Sequence, residues 1–249
     1  MLRNFILLFL ALHVFSCKDS QATLTHIDGK QIPITDSIKS DPAIVEYVAP
    51  FKARIDAEMS AVLAYAPQSL SKNDGPFNTA LGNMMADAVL ELSNPVFEKR
   101  TGNTIDAVVL NHGGIRSTLN AGDVTMRTAF DLMPFENSVV VVELTSDKVN
   151  EMFEYLKTGK AHPIAGMQIS IDDNNNLVKA TIDGEPVKDG QTYFIATNDY
   201  LQQGGDGMTF FSDPVSMEVL DYKIRSILVD YFKTQDTIAP VRDNRFTKE

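Results

Sequence analysis

Cysteine, tryptophan and histidine are all scarce in this chain of 249 residues. It contains no tryptophan, one cysteine (Cys17) and four histidines (His13, His26, His112 and His162). A single cysteine excludes an internal disulfide bond and any zinc site built from several cysteines. Because the four histidines are scattered along the chain, they leave little material for a metal centre, and we expect no cofactor in this chain.

Positive charge is also in short supply. Lysine and arginine number 22 against 33 aspartates and glutamates, which sets the formal net charge at −11. An acidic chain repels a phosphate backbone, so nucleic-acid polymers are not expected as partners. One small anion held by a local group of donors is still compatible with this charge. The length is sufficient for a single large domain with a buried core.

Long apolar runs are missing except at the N-terminus, where eight apolar residues (5–12) follow Arg3. The run is too short to span a membrane, which takes ~20 residues, and is typical of a secretory signal peptide. Cys17 lies five residues beyond the run, directly after Ser16, and resembles the lipobox cysteine of bacterial lipoproteins. We predict a signal peptide at 1–16, lipidation of Cys17 and a polar tether at 17–40.

This prediction places the mature chain on a bacterial membrane in the cell envelope, either in the periplasm or on the surface. The alternative is an ordinary signal peptide that is cleaved near a cysteine by coincidence.

Residues 41–249 alternate between helical and strand patterns. Helical spacing of apolar residues predicts a helix from Asp41 to about Ala66, kinked or broken at Pro50. Further helices are predicted from Asn78 to near Asn94, after Ser146, and over 217–233. Short apolar or alternating runs predict strands at 105–110, 138–144, 167–171, 177–182 and 193–197. Together these elements predict a single α+β domain with a mixed β-sheet and packed helices.

Two loops that follow predicted strands carry the candidate binding residues. In residues 111–116, with the sequence NHGGIR, Gly113 and Gly114 allow close backbone approach, Asn111 offers a donor and an acceptor, and Arg116 offers a fork for phosphate or hydroxyls. In residues 201–207, glycines that include Gly205 surround Asp206, whose carboxylate can accept hydrogen bonds from sugar hydroxyls. The alternative for both loops is a surface turn without function.

Two aromatic residues lie near these loops in the sequence. Phe135 precedes a predicted strand, and Tyr200 lies six residues before Asp206. Two rings from different loops can clamp a flat base. Core packing is an equally good interpretation of Phe135, whereas the polar neighbours of Tyr200 favour exposure.

No other catalytic or metal-binding motif in the sequence is complete. Residues 172–177 imitate the start of a calcium loop, but Leu177 replaces the required glycine, so a hairpin turn is predicted. The chain has neither a Gly-x-Ser-x-Gly elbow nor a His-Glu-x-x-His helix. His112 has the chemistry of a general base, but its spacing indicates no partner.

Taken together, the loops at 111–116, 134–135 and 200–207 resemble the C-terminal domain of the 5′-nucleotidase family, as does the sequence LGN at 81–83. The resemblance covers about residues 41–246. It implies that Asn111 and Arg116 contact the ligand, that Phe135 and Tyr200 sandwich the base, and that Asp206 binds the ribose hydroxyls.

The resemblance also implies a second domain, a metallophosphoesterase that holds two divalent metals and performs the hydrolysis. Only residues 17–40 precede the predicted domain here, so we expect those metals in a separate partner chain and no hydrolysis by this chain alone. A further substrate arginine is also missing, because no arginine occurs between Arg54 and Arg100. Lys72 is its possible substitute, but as a point charge without the guanidinium fork.

The sequence therefore predicts a nucleotide-recognition component of a 5′-nucleotidase, which acts with a separate metallophosphatase chain. The alternatives are a stand-alone lipoprotein that binds nucleosides or nucleotides, and an interaction scaffold that has lost ligand binding.

Overall fold

The computed structural model describes residues 24–158 and 160–249, so the predicted signal peptide and Cys17 lie outside the described residues. The chain divides into two units, residues 1–48 and 49–249. In the first unit, residues 24–41 contain turns but no helix or strand. None of the helices that the structure describes is both long and apolar enough to cross a membrane.

Helices and strands follow one another from residue 42 to residue 248. The helices of the described residues are α1 (Pro42–Met59), α2 (Ala80–Thr101), α3 (Met126–Leu132), α4 (Ser146–Leu156), α5 (Asp199–Gln202) and α6 (Ile224–Thr234). The strands are β1 (Val62–Ala66), β2 (Ala107–Val109), β3 (Gly122–Thr125), β4 (Ser138–Thr145), β5 (Ile164–Ala165), β6 (Met167–Ile171), β7 (Leu177–Ile182), β8 (Glu185–Pro186), β9 (Thr192–Asn198), β10 (Ser216–Lys223) and β11 (Phe246–Lys248).

The main sheet has five strands in the order β10-β4-β9-β2-β5. It is mixed, because β2 and β9 are parallel while the other neighbours are antiparallel. A second sheet has the order β11-β6-β7-β8, and β1 pairs with β3 in a two-stranded ribbon. The predicted α+β fold with a mixed sheet is confirmed, as are the predicted strands.

Apolar residues on both faces of β4 explain its interior position in the sheet. Val139 and Val141 pack into one core cluster, which also contains buried residues of α2 and α6. Val140 and Val142 pack into a second cluster on the opposite face, together with buried residues of α4. A strand whose successive side chains are all apolar is stable only where both sheet faces are covered.

The first predicted helix is too long. Asp41 caps α1 as predicted, because its Oδ1 accepts a hydrogen bond from Ala43 N at 2.9 Å, and the helix continues through Pro50 to Met59. The following segment is strand β1, which pairs with β3. Ala64 and Ala66 are buried there while Tyr65 between them is exposed, and this alternation is typical of a strand.

The boundaries of α2 also differ from the prediction. Its cap is Thr79, whose hydroxyl accepts a hydrogen bond from Gly82 N at 3.0 Å, and the helix continues through Pro95. Pro95 has no backbone N–H to donate within the helix. Phe97 in the next turn is 2% exposed, and its burial compensates for that missing hydrogen bond. The helix ends at Gly102, which has a left-handed φ of 77°.

The predicted helix over 217–233 is wrong in its first part. Residues 216–223 form β10, which pairs with β4, and α6 begins only at Ile224. The adjacent apolar residues Val219 and Leu220 are compatible with a helix or a strand. Pairing with the edge of β4 supplies the backbone hydrogen bonds of a strand. The turn at 172–176 is the predicted hairpin turn, since Asp172 Oδ1 accepts hydrogen bonds from the backbone N–H groups of Asn174 and Asn176, each at 2.8 Å.

Candidate functional site

A cleft of about 360 Å³ opens at one end of the main sheet. Since β2 and β9 are parallel and β4 is antiparallel to β9, the ends of β2 and β9 and the beginning of β4 meet at the same edge. The loops that leave or enter these strands bring together the lining residues, which are Asn111, Gly113, Gly114, Arg116, Phe135, Asn137, Tyr200 and Asp206. All except Asn137 are candidates from the sequence.

The carboxylate of Asp206 is held from two sides. Asn111 Nδ2 donates to Oδ2 at 2.7 Å, and the Tyr200 hydroxyl donates to Oδ1 at 2.9 Å. The Tyr155 hydroxyl donates to the backbone carbonyl of Asp206 at 2.8 Å. A carboxylate has about four lone-pair positions, so Asp206 can accept further hydrogen bonds from a ligand. The orientation of this carboxylate is therefore set by neighbouring side chains.

The backbone around Asp206 brings the Tyr200 ring close to the loop. Asp206 itself has a left-handed φ of 54°, a conformation that aspartate tolerates better than most residues. Gly205 is not among the residues that line the cleft. A Cβ there would lie 2.5 Å from Tyr200 Cε1, so glycine is needed for the ring to pack on this backbone. Gly205 therefore supports the ring, and its contact with a ligand stays a prediction.

The loop at 111–116 is built around the Asn111 amide. Asn111 is buried, and a Cβ on Gly114 would lie 2.8 Å from its Oδ1, so glycine leaves room for the amide. A Cβ on Gly113 would meet only ordinary contacts, the nearest being Asn111 Nδ2 at 3.5 Å. Asn111 thus links the two glycine-rich loops through its hydrogen bond to Asp206.

Arg116 carries positive charge into the cleft. Its side chain is exposed, and its Cζ lies 5.6 Å from the centroid of the Phe135 ring. Its backbone N–H donates to the carbonyl of Leu132 at the end of α3, at 2.9 Å. A guanidinium so placed offers several N–H donors to an anion.

Two aromatic rings are accessible in the cleft. Phe135 is 42% exposed and Tyr200 is 46% exposed, so neither ring is part of the buried core. Phe135 precedes β4 and Tyr200 follows β9, and both rings line the same cleft. The arrangement can receive a flat apolar group against either ring.

Asn137 and Asp199 were missed in the sequence. Asn137 Nδ2 donates to Asp199 Oδ1 at 2.7 Å, and Asp199 also accepts from the backbone N–H groups of Ser138 and Tyr200. Because a carboxylate only accepts, the orientation of the Asn137 amide is chemically determined. The available signal was the position of Asn137, two residues after Phe135 and directly before β4.

His112, within the loop at 111–116, contacts a second histidine, His162. His162 is 6% exposed, and its Nδ1 accepts a hydrogen bond from the backbone N–H of His112 at 3.3 Å. Burial, assisted by the nearby His112, lowers the pKa of His162 to about 4, so its imidazole is neutral and able to accept. His112 Nδ1 lies 3.3 Å from the carbonyl oxygen of Ala161. These two contacts connect the loop at 111–116 to residues 161 and 162.

Lys72 does not line the cleft. Its Nζ donates to the carbonyl of Ile115 at 2.7 Å, and the side chain is half-buried. This ammonium therefore supports the backbone directly before Arg116. A direct role for Lys72 in anion binding stays a prediction.

Metal ligands do not cluster in this structure. Within residues 24–158 and 160–249, no three side chains of His, Cys, Asp or Glu lie close enough together to hold a metal ion. The cleft has a single carboxylate, Asp206, among its lining residues, so these residues do not fit a centre with two divalent metals.

Comparisons with known proteins identify the family of the chain. Residues 61–213 match the family model described as 5′-nucleotidase, C-terminal domain. A cell wall protein of Listeria monocytogenes is 28% identical over 238 residues, which cover 86% of this chain and 30% of that protein. A 5′-nucleotidase of Vibrio cholerae is 26% identical over 230 residues, which cover 88% of this chain and 38% of that protein.

Among solved structures, a 5′-nucleotidase precursor from Thermus thermophilus has a similar fold. It superposes with a TM-score of 0.67 at 21% identity, covering 83% of this chain and 42% of that chain. The chain thus spans less than half the length of each of these three relatives.

Proposed function

The chain belongs to the family of 5′-nucleotidase C-terminal domains, and we propose that its cleft binds the nucleoside part of a nucleotide. The observation that carries the proposal is the grouping, in one cleft, of an oriented carboxylate, an exposed guanidinium and two accessible rings. These are the groups that recognise vicinal hydroxyls, an anion and a flat base, respectively.

Each residue has a role in this proposal. The base lies against Phe135 and Tyr200, and the ribose hydroxyls donate to the free lone pairs of Asp206. Arg116 lies near the ribose or the phosphate, and Asn111 contacts the ligand while it keeps Asp206 oriented. Because the carboxylate is oriented before the ligand arrives, little conformational entropy is lost on binding.

We propose that the hydrolytic step belongs to a separate metallophosphoesterase chain. The cleft residues do not fit a centre of two divalent metals, and the Vibrio cholerae 5′-nucleotidase is much longer than the part that matches this chain. In this proposal, the partner supplies the metals and the attacking water, while this chain binds and orients the substrate.

Turnover measurements test the partner role. Three samples are assayed with AMP, UMP and a UDP-sugar. They are a candidate metallophosphoesterase chain loaded with Mn²⁺, the full chain alone, and a mixture of the two. We expect the mixture to show faster turnover or a changed preference among the three, because one chain binds what the other cleaves. The control is the mixture with Asp206→Asn, which should show a smaller increase.

Two results would contradict the partner role. Equal turnover with and without this chain, across all three substrates, would reject it. Robust metal-dependent hydrolysis by the purified chain alone would also reject it. Calorimetric binding of AMP without any effect on turnover would instead favour a stand-alone nucleotide-binding protein.

We also propose that Cys17, which lies outside the described residues, carries a lipid anchor. Support comes from the apolar run at 5–12 and from Ser16 and Cys17 shortly after it. Replacement of the thiol in Cys17→Ala should move the full chain from the membrane fraction to the soluble fraction of cells. Unchanged membrane association would reject the lipid anchor.

A further inference from the structure

The segment 134–137, which carries Phe135, is hydrogen-bonded to Arg225 at the start of α6. Arg225 Nη1 donates to the carbonyl of Pro134 at 3.0 Å, and Nη2 donates to the carboxylate of Glu136. The Arg225 side chain is only 13% exposed. One guanidinium therefore binds the residue before Phe135 and the residue after it.

One further contact holds Arg225 itself, and two more bind the segment 134–137. The Cζ of Arg225 lies 4.2 Å from the centroid of the Phe130 ring in α3, within the range of a cation–π interaction. Lys223 Nζ donates to the carbonyl of Glu136 at 2.6 Å, and Ile224 N–H donates to the carbonyl of Asn137 at 3.0 Å. The backbone on both sides of Phe135 is thus bound, while the ring itself stays accessible in the cleft.

We propose that Arg225 is a positioning residue that holds the Phe135 ring in the orientation required for stacking on a base. The inference rests on the proposed nucleotide binding. Stacking depends on ring orientation, and a ring on a loop held in advance loses less freedom when the base arrives. A planar guanidinium with several fixed donors can bind Pro134 and Glu136 at once, whereas an apolar side chain cannot.

The absence of tryptophan from this chain permits a direct measurement of ring mobility. In Phe135→Trp, the introduced indole is the only tryptophan fluorophore. We expect Arg225→Met in this background to lower the steady-state anisotropy and to raise quenching by acrylamide, without any nucleotide present. Anisotropy and quenching reflect local motion of the ring, which a uniform loss of stability below the unfolding transition would not change.

Arg100→Met is the matched control. Arg100 also binds a carboxylate and two backbone carbonyls, those of Glu218, Val219 and Leu220, but it lies on α2 and contacts none of residues 134–137 in these hydrogen bonds. It should leave the anisotropy unchanged even if it lowers Tm. Equal effects of the two substitutions on the anisotropy would overturn the positioning role.

A double-mutant cycle tests the consequence for binding. By calorimetry, Arg225→Met should weaken AMP binding by about tenfold, part of the loss expected from one stacking contact. In the Phe135→Ala background, the same substitution should have no further effect, because the ring that it positions is gone. An equal loss in both backgrounds would overturn the proposal.

The two proposals fail in different ways. If the wild-type chain binds no nucleotide, the proposed function is rejected, while the anisotropy still reports whether Arg225 holds the segment. If the wild-type chain binds AMP and Arg225→Met binds it equally well, the positioning role is rejected and the proposed function stands.

Discussion

Replacing Asp206 by asparagine is expected to weaken nucleotide binding by roughly 10- to 150-fold. A hydrogen bond to a charged group contributes about 1.5–3 kcal/mol, and every 1.4 kcal/mol is a factor of about ten in affinity. Asparagine keeps the size of the side chain and tolerates the left-handed φ of 54° at this position. The substitution therefore removes the charge and one acceptor with little change in backbone conformation.

The geometry around Asp206 adds to the expected effect. The Asn111 amide and the Tyr200 hydroxyl each donate to a different carboxylate oxygen. Asparagine at 206 replaces one of these oxygens by an NH₂ group, so one of the two donors loses its acceptor. Orientation of the side chain and its contact with the ligand are weakened together.

Calorimetry with two ligands separates this contact from general damage. AMP and 2′,3′-dideoxy-AMP differ only in the hydroxyls that Asp206 is proposed to bind. For the wild-type chain, we expect AMP to bind far more tightly than the dideoxy compound. For Asp206→Asn, the two affinities should be nearly equal.

Asp213→Asn is the control for Asp206. Asp213 is exposed and has the same left-handed φ of 54°, so the substitution changes the same charge on the same backbone conformation away from the cleft. It should leave AMP affinity unchanged. If Asp206→Asn binds AMP as tightly as the wild-type chain does, the proposed contact between Asp206 and the ribose hydroxyls is rejected.

Removing either ring should also have a large effect. Phe135→Ala and Tyr200→Ala are each expected to weaken AMP binding by about 1–3 kcal/mol, the usual contribution of one aromatic stacked on a base. Both rings are exposed by more than 40%, so their truncation costs little core packing. Binding of ribose 5-phosphate, which has no base, should change much less than binding of AMP. Equal losses for both ligands would contradict base stacking.

Tyr200→Phe separates the two functions of Tyr200. Phenylalanine keeps the ring but removes the hydroxyl that donates to Asp206 Oδ1 at 2.9 Å. We expect a smaller loss of AMP affinity than in Tyr200→Ala, with the loss confined to ligands that carry ribose hydroxyls. Tyr65→Ala is a control for exposure, since Tyr65 is 51% exposed and lies in the ribbon strand β1.

Seven of the residues singled out in the sequence line one cleft, and most of them lie in two short loops, while their role in binding stays a prediction. Asn111 and Arg116 lie in one loop, and Tyr200 and Asp206 in another, and each loop follows an apolar strand. A strand end is where a ligand-facing loop belongs, so local pattern and position were sufficient. The fold class followed in the same way from the alternation of helical and strand patterns.

The sequence pattern predicted the wrong element where the same residues are compatible with both a helix and a strand. Residues 217–223 were predicted as a helix, yet they form β10, since pairing with β4 provides backbone hydrogen bonds for the segment. Residues 62–66 were predicted to continue α1, yet they pair with β3. In both segments the partner strand is far away in the chain. The spacing of apolar residues within a segment carries no information about such a distant partner.

By itself, the sequence determined the apolar strands, the glycine-rich loops and the acidic and aromatic side chains that they carry, because these depend on neighbours within a few residues. Only the tertiary structure decided what holds these side chains in place. Tyr155 reaches the backbone of Asp206, Asn137 reaches Asp199, and Arg225 reaches the segment around Phe135. These contacts join residues 51, 62 and 91 positions apart, and they exist because strand pairing and helix packing bring distant segments together.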